Sequence, residues 1–405
     1  MGAAVAGCGQ LVSETVVEWL PWLVVNPDPT LDPSSASALA DLRILDFSRV
    51  LAGPFATMML ADLGATVIKV ERPVAGDETR SWGPPYDERG EATYFQSVNR
   101  NKESVVLDLR DPGDLGRART LAAEADVVVE NFRPGVLDGL GLGYAALSAA
   151  DPALIYCSIT GFGGGGGAAL PGYDLLVQAL GGLMSITGPP DGAPQKVGVA
   201  LVDVLAGLFS AVGILAALRH RAATGEGQLV EVDLLSSLLA ALVNQGSAFS
   251  LAGVIPERMG NAHPSIAPYE LYRTGAGDLV LAVGNDRQFA SLCEVLGEPG
   301  LAADPRFASN ADRVAHREHL RVVLERLLLA RAAGDWSRVL TEARVPAGVV
   351  NDIGGAFALA ASLGMEPLIE IDRGDGSVAR LTRNPIRLSR TPPRYRSAPP
   401  RLPDM

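Results

Sequence analysis

The stretch TGFGGGGGAALPGYD, residues 160–174, brings five consecutive glycines close ahead of Asp174. A glycine run cannot fill a core, permits φ > 0 and lets backbone come close to a ligand, so it reads as a mobile, exposed loop. The loop delivers Asp174 to the start of the apolar segment DLLVQALGG. Two chemistries are open to an aspartate placed there. It can cap the helix by accepting from the helix amides, or its carboxylate can attack an electrophilic carbonyl. The run matches G-x-G-x-x-G only because it is nearly all glycine, which gives no dinucleotide signal.

A second set of residues could meet an anion. Arg72 follows the apolar run ATVIKVE, Arg100 and Lys102 sit in NRNK, and Arg133 sits in ENFRPG. Together they form a candidate basic rim for a phosphorylated ligand, or else four ordinary exposed charges. The chain as a whole is acidic, with 46 Asp and Glu against 34 Lys and Arg, which argues against a nucleic-acid surface. His316 and His319 share a helical face without further ligands, so they read as solvated rather than metal-binding. Cys8, Cys157 and Cys293 form neither a CxxC motif nor a disulfide framework, and a cytoplasmic location is expected.

The elements that must position these residues show an α/β pattern. LRILDF, ATVIKVE, SVVLDL, DVVVEN and LIYCSIT are short apolar runs rich in β-branched residues, and helix-sized segments such as GPFATMMLADLG separate them. That alternation predicts a parallel sheet with helices on its faces, and ligands then bind beyond the carboxyl ends of the strands. The loop SRVLAGP after the first run opens a helix whose amides can meet an anion, but it is no nicotinamide fingerprint. Residues 200–221 and 234–252 read as apolar helices, and 260–284 as a loop leading into a hairpin. Residues 1–40 read as an extension with one amphipathic helix and a loose linker, too short and acidic to span a bilayer.

Taken together, LRILDFSRVLAGPFATMMLADLGATVIKVERP, NRNKESVVLDL, ADVVVENFRPGVL, ITGFG…PGYD and VGVALVDVLAGLFSAVGILAAL resemble the class III coenzyme A transferases, the group of formyl-CoA and carnitine-CoA transferases. The resemblance implies a Rossmann-like large domain with a parallel sheet at 41–230, a smaller α+β domain at 231–330 and a return segment at 331–405. It also implies a homodimer of interlocked chains. By the same matching Asp174 is the nucleophile, and Leu51, Ala52, Arg72, Lys102, Asn131 and Phe132 fall at positions that contact coenzyme A. Thr160, Gly161, Phe162 and Gly163 then line the approach to the thioester. The implied substrates are an acyl-CoA donor and a carboxylic acid acceptor, with no tightly bound cofactor and no metal, nucleic acid or membrane partner.

Such a reaction suits an aspartate. Its carboxylate attacks the donor thioester to give a mixed anhydride, the released thiolate returns to give an aspartyl-CoA thioester, and an acceptor carboxylate takes the CoA through a second anhydride. This chain departs from some members at Gly139, where an arginine would offer a phosphate contact, and at GNAHPSIAPYE, where formyl-CoA transferases carry a glycine-rich loop. The second departure places His263, with Tyr173 on the first domain, as candidate substrate contacts. Two other readings stand beside transfer. A 2-methylacyl-CoA racemase would need the histidine of a GHD motif where this chain has Tyr173 in PGYD, and a non-catalytic CoA-binding protein would use Asp174 only as a cap.

Overall fold

The computed structural model of the chain describes residues 24–25 and 37–403. Most of the helix expected within 1–40 therefore lies outside the described residues. Val24–Val25 is a short strand beside Leu368–Ile369.

Six strands make one wholly parallel sheet: β1 (Arg43–Asp46), β2 (Thr66–Glu71), β3 (Lys102–Val106), β4 (Val127–Glu130), β5 (Ile155–Thr160) and β6 (Leu229–Asp233). Their order is β3-β2-β1-β4-β5-β6. The chain winds outward from β1 to β3, then restarts at β4 and winds the other way. The loops leaving β1 and β4 thus diverge and open a crevice at the carboxyl ends. The third strand begins earlier than its apolar run SVVLDL suggests, because β2 pairs from Val67 opposite Lys102 and ends at Glu71 opposite Val106.

Helices α1 (Ala52–Asp62), α2 (Asp174–Leu180), α3 (Leu201–Thr224) and α4 (Leu234–Ala241) supply the elements around the crevice. One face of the sheet packs on α1 and α3 through Leu60, Ala61, Ile155, Ile159, Ala206 and Ile214. The opposite face packs through Leu45, Val128, Leu142 and Tyr156 on the helix Pro112–Ala123. Contact between α1 and α3 depends on Gly207, where a Cβ would stand 2.6 Å from the carbonyl oxygen of Ala52. By length and composition α3 could cross a membrane, but Val202, Ala206, Ser210, Ile214 and Ala217 on one face are buried in the core. Its other face leaves Leu208, Phe209, Val212 and Leu215 exposed. The apolar segment 234–252 is two helices, bent by 83° at Val243.

A second core forms around β7 (Tyr269–Arg273), β8 (Asp278–Ala282) and β9 (Ala347–Val349), an antiparallel sheet. Tyr272, Leu279, Phe289, Leu324, Trp336 and Leu340 fill it. The expected boundary at 230 falls inside β6, and that at 330 in the turn between the helices Arg317–Leu328 and Ala333–Glu342 of the second core. β6 ends at Asp233, and α4 follows it to join the first core, so the large unit runs past 230. Trp336 and β9 belong to the second core and sheet, so the small unit runs past 330.

β10 (Leu368–Asp372) and β11 (Val378–Thr382) pair antiparallel, and the chain then returns to the large unit. Asn101 donates its amide to Ser397, and the Arg396 guanidinium donates to the carbonyls of Ala61, Gly64 and Ala65. Asp62 is the anchor of this return. It accepts two bonds from Arg100, at 2.9 and 2.6 Å, and others from Asn101 and Asn384, with its side chain fully buried. Asp62→Ala leaves the Arg100 charge buried and unpaired. The expected loss of unfolding free energy is about 3–5 kcal/mol, checked by urea denaturation against the wild-type protein.

Candidate active site

The crevice at the carboxyl ends of β1 and β4 is lined by the loops that follow them and by the loop after β5. Leu51, Ala52, Asn131, Phe132, Thr160, Gly161, Phe162 and Gly163 all face it, together with Arg49, Arg133, Tyr173 and Asp203. Two reciprocal bonds tie its mouth across the sheet. The Arg49 amide donates to Asn131 Oδ1 at 2.9 Å, and Asn131 Nδ2 donates back to the Arg49 carbonyl at 2.7 Å. The Arg49 guanidinium lies 5.0 Å from the Phe132 ring centroid and pairs with Glu78 at 2.6 Å.

Beneath this mouth lies a set of buried charges. Lys102 pairs with Asp46 at 3.1 Å and Lys69 with Asp77 at 2.9 Å, all four side chains fully buried. Lys69 donates to the Ser48 carbonyl, Lys102 donates to the Pro54 carbonyl, and Asp77 accepts from the Val50 amide. These bonds hold the SRVLAGP loop where Val50, at φ 69, occupies the left-handed region that a β-branched residue rarely visits. Burial draws the Lys102 ammonium down to about 8, opposed by the Asp46 charge.

The basic rim is therefore corrected. Arg100 and Lys102 are interior ion-pair partners, because each has a buried carboxylate waiting for it in the fold. Arg133 stays exposed at the pocket, while Arg72 is exposed and outside its lining, with its Nε donating to the Gly76 carbonyl at 3.0 Å.

Asp174 is the first residue of α2, and it does not cap that helix. Its Oδ1 accepts from the Val202 amide at 2.7 Å and more weakly from the Asp203 amide at 3.4 Å, at the start of α3. Its Oδ2 accepts from Gln178 Nε2 at 2.6 Å, and Gln178 in turn is fixed by the Val197 amide. The positive end of a 24-residue helix thus faces this carboxylate. Oδ2, with a single bond, keeps a lone pair uncommitted. The pocket wall is formed by its neighbours Tyr173, which is 64% exposed, and Asp203, but not by Asp174 itself, which is half-buried.

The glycines divide by role. Gly161 and Gly172 cross at the neck of the loop, where a Cβ on Gly161 would stand 2.4 Å from the Gly172 Cα. Gly164, Gly165 and Gly166 are exposed, with open space around each. The neck glycines thus set where the chain re-enters ahead of Asp174. His263 is not brought to this pocket. Its ring packs on Tyr269 at 5.3 Å in the small unit, and its Nδ1 accepts from the Ser265 amide.

Asp203 escaped the sequence reading. The signal was present, since it is the sole charge between Ala200 and Arg219 in an otherwise apolar helix. Burial first, and then the nearby Asp174 charge, push its carboxyl up to about 7. Among the described residues no group of three or more His, Cys, Asp or Glu could hold a metal ion.

Known proteins give this geometry its context. The sequence description of CoA-transferase family III matches residues 39–404. The chain belongs to that family. Its relatives include a succinate–glutarate CoA-transferase of Agrobacterium fabrum, 44% identical over 87% of this chain and 90% of the relative. An acetyl-CoA:oxalate CoA-transferase of Acetobacter aceti is 42% identical over 81% of this chain and 85% of the relative. A solved CaiB/BaiF family protein from Brucella suis superposes with a TM-score of 0.80 at 43% identity, covering 91% of this chain and 97% of that one. Transfer of CoA is accordingly the reaction class of this family III CoA-transferase.

The neck of the glycine loop makes the first catalytic test. Gly161→Ala must shift backbone against Gly172, at a cost of about 1–3 kcal/mol, and transfer is expected to fall at least about tenfold. Gly165→Ala meets nothing and is expected to keep near wild-type rate, both read by CoA-transfer assay alongside thermal unfolding.

Proposed function

We propose that the protein moves CoA between dicarboxylic acids, with Asp174 as the covalent nucleophile. The observation that carries this reading is the carboxylate of Asp174, held beside the switch-point pocket by amides of α3 and by Gln178, and not spent on capping the amides of its own helix. Amide donors at a helix start favour the charged carboxylate, and a nucleophile must be charged to attack a thioester. The same amides face the oxyanion that forms when the Asp174 carbonyl is attacked in turn, where a missing donor typically costs roughly 3 kcal/mol.

Leu51, Ala52, Asn131, Phe132 and residues 160–163 are proposed to contact the acyl-CoA, as their place in the lining supports. Lys102 serves from beneath, holding the first loop through the Pro54 carbonyl. Arg49 and Arg133 are the cations of the pocket, suited to CoA phosphate or to a second carboxylate on the acid. Relatives named for glutarate, mesaconate and oxalate support the dicarboxylic class.

A homodimer belongs to the same proposal. The exposed face of α3, with Leu208, Phe209, Val212 and Leu215, is continuous with no described neighbour and fits a second copy of the chain. Light scattering is expected to give twice the chain mass, and Val212→Asp to shift it toward the monomer.

Asp174→Asn removes the nucleophile and keeps a group able to accept from Val202. Transfer from succinyl-CoA to glutarate is expected to fall by more than about a thousandfold, with thermal stability nearly unchanged. Transfer near the wild-type rate would contradict the assignment.

A further inference from the structure

The carboxyl group of Asp203 has no evident structural task. It rides on the first turn of α3, lines the pocket, and among the described residues receives no hydrogen bond and no ion pair. Its backbone amide points to Asp174 while its side chain is half-buried. A half-buried carboxyl group without a protein partner, lining a pocket beside a second carboxylate, is free to bond a ligand.

We propose that Asp203 binds the acceptor, donating a hydrogen bond from its carboxyl group to the incoming substrate carboxylate beside Asp174. The inference rests on the transferase reading and adds a specificity residue to it. An ionised Asp203 would repel both an anionic acid and the thiolate released at Asp174, whereas its neutral acid attracts them. The pairing is preserved through the cycle. In the free enzyme the single charge beside Asp203 is the Asp174 carboxylate. Once Asp174 is a neutral thioester, the acceptor carboxylate takes that place.

The surrounding groups permit this state. Asp174 faces Asp203 from α2, and Tyr94 faces both from the segment Thr93–Gln96, its phenol held up to about 12 by burial and then by these two acids. Tyr94 and Val204, one residue along α3, both pack on the cluster of Leu51, Met58 and Val98. Across the pocket stand Arg49, already engaged by Glu78, and the exposed Arg133. Of the other elements against α3, α1 carries Asp62, committed to Arg100. β5 carries Tyr156 and Cys157, and β6 carries Glu231 and Asp233, the last capping α4. The remaining charges on α3, Arg219 and Arg221 with His220, are at its far end.

The sign of the pH effect follows. The neutral acid is present below about 7 and is lost as pH rises through that value, so acceptor binding should weaken on the alkaline side. The test uses the full chain with succinyl-CoA as donor and glutarate as acceptor, measuring KM for each from pH 5.5 to 9. Asp203→Asn keeps a donor that does not titrate, and it should keep the acceptor KM while abolishing its alkaline rise. Asp203→Ala should raise the acceptor KM at least about tenfold and leave donor KM unchanged. CoA adduct on Asp174, read by peptide mass after succinyl-CoA alone, should form in both variants. An Asn variant that retains the alkaline rise, or an Ala variant with unchanged acceptor KM or equal losses for both substrates, overturns the proposal. Failure of the adduct in wild type instead overturns the transferase mechanism on which it rests. If the Ala variant fails to fold, the pH profile of the Asn variant decides alone.

Discussion

A carboxylate at the first position of one helix is held by amides in the first turn of another, the nearer of them, from Val202, 28 residues along the chain. That bond from Val202 to Asp174 fixes most of what surrounds it. It brings the start of α3 against the start of α2, and it sets the glycine loop's re-entry behind the pocket. It also explains why Asp203 lies where it does, since the next residue on α3 must follow Val202 into the same space. An aspartate capping its own helix would have been a stabilising detail, whereas this one depends on two elements meeting and is useful for chemistry because of it.

The pocket mouth has a comparable foundation. Four buried charges, Asp46, Lys69, Asp77 and Lys102, are costly to remove from water, and they persist because each is paired and further bonded to backbone. Their partners are the carbonyls and amides of the loop after β1, which keep Val50 in an unfavourable conformation. Rigidity at the mouth contrasts with the exposed glycine run opposite, so one wall is fixed while the other has room to move.

The sequence made the sheet legible because β-branched runs alternating with helix-sized segments have few other solutions, and the switch-point crevice follows from strand order. Residues at strand ends, such as Asn131 and Thr160, were therefore easy to place. Arg100 and Lys102 were not, since a cation in a polar NRNK segment looks exposed until its buried partners, Asp62 and Asp46, are seen tens of residues away. The reach of each core past 230 and 330 has a related cause: β6 and β9 complete their sheets across long intervals, and no local pattern announces that. Asp203 was hidden inside a motif that read as core. Its meaning appears only when α3 is laid beside α2, and its lone charge in an apolar helix was the one trace available.

Covalent passage through Asp174 has a signature in the atoms themselves. When an acceptor carboxylate attacks the aspartyl-CoA thioester and the thiolate returns to the acceptor carbonyl, one acceptor oxygen must stay on the aspartate. A single turnover with succinyl-CoA and glutarate labelled with heavy oxygen in both carboxylates, followed by mass analysis of the peptide containing Asp174, reads this directly. The account predicts one heavy oxygen on Asp174 and none elsewhere in the chain. An unlabelled Asp174 after complete turnover would mean that the acids exchange CoA without it, and would contradict the account.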